Sequence, residues 1–237
     1  MRCFTAQAVV FDMDGVLVDT RSAIESAWRA TAQRFGRVLS DADMSRYVHG
    51  RQGRYAVAAL FPEYSPEQQD EIFRYACAIE ESSDCPPVPG AVALVRALHN
   101  AGVALGLATS NGPARVQRVL TALGLTGHFQ CVVDQTAAGR GKPYPDPYLR
   151  VAAGLGVAPQ RMLVFEDSSS GLESASSAGA CCVAIGGLQH AGPSVLATVA
   201  NFVTLQVEVT GGATALLAGL PDPIELRPSR TTFDASS

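Results

Sequence analysis

Five short runs of this chain are apolar from end to end: Ala8 to Phe11, Val103 to Ala108, Cys131 to Val133, Met162 to Phe165 and Cys181 to Ile185. A strand with no polar face must be covered on both sides, which excludes a half-solvated antiparallel sheet. Between the later runs lie Ala91 to Asn100, Pro113 to Leu123, Pro147 to Leu155 and Ser170 to Ala178, with apolar residues at three- and four-residue spacing. Gly102, Gly124, Gly156 and Gly179 follow these segments as helix stops. Strand–helix alternation of this kind predicts an α/β fold, a doubly wound parallel sheet with helices on both faces. With 237 residues and 47% hydrophobic side chains, the chain is long enough to build that core.

Residues 21 to 87 break the alternation. Ile24, Ala27, Trp28, Thr31 and Phe35 mark one amphipathic helix, and helical stretches follow near Tyr55 to Phe61 and Pro66 to Ile79. The segment leaves at the end of the first strand and returns through Pro86-Pro87-Val88-Pro89-Gly90. It reads as a helical insertion over the C-terminal edge of the sheet, where open α/β sheets bind ligands. The expected division is therefore core at 1–20, helical insertion at 21–87, core again at 88–218 and a loose Pro/Ser/Thr-rich tail at 219–237. No internal repeat is present.

The net charge of −4 argues against nucleic acid or an anionic membrane as the main partner. The long uncharged reach from Ser174 to Val207 is broken by Gly186-Gly187, Gln189, Pro193 and Asn201, so no membrane span is expected. The apolar run ended by Asp12 is too short for a signal-peptide core. Six cysteines (Cys3, Cys77, Cys85, Cys131, Cys181, Cys182) lack Cys-x-x-Cys spacing and read as reduced thiols. A cytoplasmic protein, monomeric or weakly dimeric, is the expectation.

Asp12 and Asp14 follow the first strand directly. Two carboxylates at a strand end repel each other, and a divalent cation would relieve that repulsion. Their i, i+2 spacing lets Asp12 offer a carboxylate oxygen and Asp14 a backbone carbonyl, hard ligands of the kind Mg²⁺ takes. An ordinary acidic turn has the same look. Glu166-Asp167, however, ends another apolar run and brings two more carboxylates to the same edge. Thr109-Ser110-Asn111 precedes a helix that opens at Pro113, which is either a plain N-cap or an anion site. Of 18 basic residues only Lys142 is lysine; it sits between Gly139 and Asp146 in a Gly/Pro-rich loop. A compact ammonium can neutralise a phosphate oxygen and a carboxylate in one tight site, although a solvated lysine would look the same in sequence.

Taken in order, these segments closely resemble the haloacid dehalogenase superfamily. The pattern D-x-D-G-x-(L/V)-x-D reads as Asp12-Met13-Asp14-Gly15-Val16-Leu17-Val18-Asp19, the second motif as Thr109, the third as Lys142-Pro143, and the fourth as Glu166-Asp167-Ser168 followed by Gly171 and Ala178-Gly179. The resemblance implies that the insertion is the family's small α-helical cap. It implies Asp12 as the nucleophile that forms an aspartyl-phosphate and Asp14 as the acid and base. Mg²⁺ is implied on Asp12, the Asp14 carbonyl and Asp167, with Glu166 orienting the ion or ligating directly or through water. Thr109 and Lys142 are implied as phosphoryl ligands, with Ser110 and Asn111 beside them. The family's dehalogenases lack the second aspartate, so Asp14 points to phosphate chemistry.

Two features bear on the subtype. The stretch from Asp19 to Ile24 aligns with the start of β-phosphoglucomutase-like proteins, but Ile24 stands where those carry a histidine, which favours water as the phosphoryl acceptor. Ser110-Asn111-Gly112-Pro113 resembles the Asn-Gly-Pro of such mutases and keeps a sugar phosphomutase as the alternative. Tyr47 to Arg54 resembles the substrate loop of hexose and hexitol phosphatases; His49, Arg51 and Gln52 are its candidate substrate contacts, or a basic helix start facing solvent. His99, His128 and His190 read as structural or surface residues, and Glu80-Glu81 and Asp70-Glu71 as solvated helix faces. The expected activity is Mg²⁺-dependent hydrolysis of a small phosphomonoester, a sugar or polyol phosphate.

Overall fold

Ala8–Phe11 (β2) is fully buried and lies at the centre of a parallel sheet. The computed structural model describes residues 4–81, 85–187, 192–210 and 214–227. Within it β2 is flanked by Ala104–Ala108 (β3) and Met162–Glu166 (β5). Cys131–Val133 (β4) lies beyond β3, and Cys181–Ile185 (β6) and Val195–Val199 (β7) lie beyond β5, all parallel. Phe11 sits opposite Leu107 and Phe165, so the residues just after these three strands emerge together at one edge. That register is what assembles the site.

The helices are Arg21–Arg34 (α1), Asp41–Asp43 (α2), Gly53–Leu60 (α3), Pro66–Glu81 (α4), Ala91–Asn100 (α5), Pro113–Ala122 (α6), Asp146–Leu155 (α7) and Ser169–Ala178 (α8). Alternate residues of a strand face opposite sides of its sheet. Val9 and Phe11 accordingly pack with Leu94, Leu98, Val116 and Leu120 of α5 and α6, while Ala8 and Val10 pack with Tyr148, Val151, Leu172 and Ala175 of α7 and α8. The expected parallel α/β architecture is what the chain adopts.

Residues 21 to 81 form helices with a core of their own, built from Trp28, Ala32, Met44, Val48, Val57, Leu60, Phe61 and Ile72. A wide helical turn at Met44–Val48 was not legible in the sequence. The exit and return of this insertion are tied to each other: Asp19 N donates to Pro86 O at 2.8 Å and Val88 N donates to Leu17 O at 3.0 Å. No helix among the described residues is long and apolar enough to cross a membrane.

The expected loose tail needs correction. Thr5–Ala6 (β1), Ile224–Leu226 (β10), Thr214–Ala218 (β9) and Gln206–Thr210 (β8) form a second sheet in the order β1-β10-β9-β8. Ile224 and Leu226 alternate with Glu225 and are buried in the same cluster as Phe11, which holds this stretch despite the prolines around it. Residues 228 to 237 of the expected tail, with His190 and Cys3, lie outside the described residues. Among the described residues Cys131 and Cys181 are partly exposed and Cys182 is buried, each as a free thiol.

Candidate active site

The buried charges gather where β2, β3 and β5 end. Lys142 Nζ donates to Asp12 Oδ1 at 2.7 Å, to Glu166 Oε1 at 2.5 Å and to the Ala108 carbonyl at 3.1 Å. Lys142 and Asp12 are each 4% exposed and Glu166 is 0% exposed. Three oxygen partners use the three ammonium hydrogens in full. Burial by itself would pull the Lys142 pKa down, but Asp12 and Glu166 outweigh it and hold the ammonium protonated. The one lysine of the chain is thus an internal ion-pair centre rather than a solvated side chain.

Glu166 is fully engaged. Its Oε1 also accepts from Tyr148 Oη at 2.7 Å, and its Oε2 accepts from Asp167 N at 3.1 Å, Ser168 N at 3.3 Å and Ser168 Oγ at 3.1 Å. Ser168 caps α8 by accepting from Gly171 N at 3.1 Å. A Cβ at Gly171 would fall 1.8 Å from Glu166 Oε1, so only glycine lets the helix start so close to the carboxylate. Gly171→Ala is expected to cost about 3 kcal/mol, because either the helix or the Glu166–Lys142 pair must shift; thermal denaturation of the variant measures it.

Asp12, Glu166 and Asp167 each present an oxygen within 4.8 Å of the others. Desolvation, partly offset by Lys142 and reinforced by Glu166 and Asp14, pushes the Asp12 pKa up to about 7. Burial and the charges of Glu166 and Asp12 drive Asp167 well above the ordinary carboxylate range. Three carboxylates against one ammonium leave excess negative charge among oxygen donors, which is the chemistry of a hard divalent cation site. Since Glu166 is spent on its neighbours, Asp12 and Asp167 retain the free donor capacity. Gly15, at φ +72°, lets the Asp14–Gly15 backbone approach Asp167: a Cβ there would lie 2.1 Å from Asp167 Oδ2.

Asp14 points towards α6. Arg115 Nη2 donates to its Oδ1 at 3.2 Å and the Asn111 amide donates to its Oδ2. Thr109, buried at the base of the same loop, accepts from Asn111 N at 3.2 Å and Asn111 Nδ2 at 3.1 Å. Ser110 Oγ donates to the Gly50 carbonyl at 3.0 Å, and Ser170 Oγ to the His49 carbonyl at 3.0 Å, so the insertion touches the sheet edge at these two points. Arg51 Nη1 reaches the Lys142 carbonyl at 3.5 Å.

His49 and Arg51 line a cavity of about 390 Å³ that also reaches Asp12, Asp14, Asp167 and Ser110. Burial, with Arg21 nearby, lowers the His49 pKa, against the pull of Glu25, whose Oε1 is 3.2 Å from His49 Nε2. Gln52 is not part of that lining; it precedes α3 and packs against Gly141.

Four contributors escaped sequence reasoning. Arg115 sat in a helical pattern as one arginine among many, and Tyr148 looked like ordinary core. Glu80, expected on a solvated face, is instead 17% exposed at its side chain, with Oε1 accepting the Trp28 indole N–H at 2.9 Å and Oε2 3.9 Å from Arg115 Nη1. Trp28 was read for packing alone. The approach of charges from two helices distant in sequence leaves no trace in local spacing. Asp70, by contrast, is exposed as expected and pairs with Arg54.

Comparison with known proteins places this geometry in context. A family model described as haloacid dehalogenase-like hydrolase matches residues 6–179. Hexitol phosphatase A of Escherichia coli is 33% identical over 192 residues, covering 78% of this chain and 84% of the relative. Beta-phosphoglucomutase of Bacillus subtilis is 29% identical over 191 residues, covering 76% and 83%. The crystal structure of a family IA, variant 3 HAD hydrolase from Entamoeba histolytica superposes with a TM-score of 0.71 at 26% identity, covering 83% of this chain and 93% of that one.

Proposed function

The chain belongs to the haloacid dehalogenase-like hydrolases, and from that premise we propose that it is a Mg²⁺-dependent phosphatase of a sugar or polyol phosphate, working through an aspartyl-phosphate. The observation that carries this reading is the juxtaposition of Asp12 and Asp167, which line a cavity shared with the insertion, with Lys142 buried behind them on Asp12.

Asp12 is the nucleophile. Its carboxylate oxygen bonds to phosphorus as the ester P–O bond breaks, and the bonding pair leaves on the alcohol oxygen, which takes a proton from the Asp14 carboxyl. Water then attacks the same phosphorus while Asp14, now a carboxylate, accepts its proton. The P–O bond to Asp12 breaks and phosphate departs. Lys142 orients Asp12 and offsets charge on phosphoryl oxygens, with Thr109, Ser110 and Asn111 beside it. Asp12, Asp167 and the Asp14 carbonyl would hold Mg²⁺, which when bound offsets the negative charge of the phosphoryl group; Glu166 orients the Lys142–Asp12 pair. His49 and Arg51 contact the alcohol half of the substrate, and Gln52 supports the loop that carries them.

Arg115 is a positioning residue in this scheme, because it reaches Asp14 and not the phosphoryl site. Arg115→Met is expected to lower kcat about tenfold with a smaller change in KM, and Arg115→Lys to restore part of it; steady-state kinetics on one phosphoester measures both.

A sugar phosphomutase is the second reading, favoured by the match to beta-phosphoglucomutase. Ile24 weighs against it, since it lines the cavity with a side chain that can neither give nor take a proton. The deciding experiment is phosphate release from a panel of sugar, polyol, triose and nucleotide monophosphates with Mg²⁺ and with EDTA. Mg²⁺-dependent release with an optimum on a sugar or polyol phosphate is expected. Isomerisation of a sugar phosphate without release would sink the phosphatase. Mg²⁺ is also expected to raise the melting temperature of the substrate-free protein by relieving repulsion among its carboxylates.

A further inference from the structure

The cavity has two unlike walls. Towards the sheet it presents Asp12, Asp14, Asp167, Ser110 and Asn111. Towards the insertion it presents Ile24 and Trp28 of α1, Ala56 of α3, and Phe73, Ala76 and Cys77 of α4. Arg21, His49 and Arg51 also line this side, Arg21 and His49 facing Glu25, whereas beside the apolar residues the Trp28 indole N–H donates to Glu80 Oε1 and Glu80 Oε2 faces Arg115. Among the described residues the cavity's buried donors without a hydrogen-bond partner include Arg51 Nε and Arg115 Nε. Both side chains also reach the catalytic loops, at the Lys142 carbonyl and at Asp14.

A substrate hydroxyl moved from water against the insertion wall would lose its hydrogen bonds and meet ring carbons and methyl groups. An alkyl or aryl group placed there gains from leaving water. At about 390 Å³ the cavity has more room than a phosphoryl group occupies. The space stays open because small side chains, Ala56 and Ala76, stand beside the rings of Trp28 and Phe73.

We infer that the alcohol half of the substrate carries an apolar group beyond its hydroxylated part, and that the wall formed by α1, α3 and α4 seats that group. This deepens the phosphatase reading and rests on it. The preferred ester is amphiphilic: phosphate against Asp12 and Lys142, hydroxyls near His49 and Arg51, and an alkyl or aryl substituent against Trp28 and Phe73. A bare hexitol phosphate would leave the apolar wall unused.

The test is a matched pair, glucose 6-phosphate and the 6-phosphate of benzyl glucoside, hydrolysed by the full-length protein with Mg²⁺. The benzyl compound is expected to have a kcat/KM at least about tenfold higher, with the gain in KM. Equal or lower values for it would overturn the inference while leaving the phosphatase intact. Ala76→Leu fills the pocket and is expected to bring the ratio towards one, with Ala56→Leu as a second filling variant. If neither ester is hydrolysed, glucose 6-phosphates are not substrates, and the phosphatase reading stands or falls separately on the panel of monophosphates. Binding then decides the cavity, followed through the fluorescence of Trp28, the one tryptophan of the chain. Quenching by benzyl glucoside but not by glucose sustains the apolar seat, and the same response to both, or none, overturns it.

Discussion

Asp12→Asn is expected to abolish turnover, by about four orders of magnitude or more, without loss of the fold. An amide cannot form the acyl-phosphate, so acid-quenched wild-type enzyme should retain phosphate on the protein and the variant none. The fold should survive because the substitution removes a charge that burial already disfavours, as the pKa pushed up to about 7 records. Lys142 keeps Glu166 and the Ala108 carbonyl as partners. The melting temperature of the Mg²⁺-free variant should therefore match or exceed that of the wild type, and its gain on adding Mg²⁺ should shrink. A variant that unfolds would point instead to Asp12 as a structural counter-ion.

Lys142→Met is expected to be the most damaging single change for stability and to lower the rate severely as well. It leaves two buried carboxylates, Asp12 and Glu166, without their cation, a situation that costs about 3–5 kcal/mol. It also removes charge from the phosphoryl site, so kcat should fall by about three orders of magnitude. Urea unfolding and residual phosphate release measure the two effects separately. Adding Glu166→Gln to Lys142→Met should recover part of the stability but not the rate, because it removes one orphaned charge and restores no phosphoryl ligand. Lys142→Arg should not rescue activity, since a planar guanidinium cannot fill a cramped, three-oxygen ammonium seat.

What the sequence could reveal followed from periodicity and from isolation. The strands β2, β3 and β6, and β5 up to Glu166, were readable because burial on both faces leaves no polar residue to confuse the pattern; β4 was readable from its apolar residues alone, although Val132 is exposed. Lys142 stood out because the chain uses arginine elsewhere. The strands β7 and β8 were not readable: Val195–Val199 is only partly covered, and Gln206–Thr210 alternates polar and apolar residues at a length that also fits a loop. Ile224–Leu226 is too short to register amid prolines, and only its pairing to β1 from the far end of the chain makes it a strand. The site divides in the same way. Asp12, Asp14 and Asp167 announce themselves by following apolar runs, whereas Arg115 and Glu80 gain their roles from a contact between the insertion and the core that no local spacing encodes.

The central place of β2 also sets a schedule for the ribosome. The strand emerges early, yet one flank waits for Ala104–Ala108 and the other for Met162–Glu166. Until then four sticky residues have no sheet to join, and premature pairing with another nascent chain is the hazard. The helices that follow bring a core of their own and can settle during that wait. An arrested chain ending before residue 162 should accordingly hold a protease-resistant helical segment while its first strand stays open to cleavage. Synthesis order thus favours a chain that builds the lid before the box it closes.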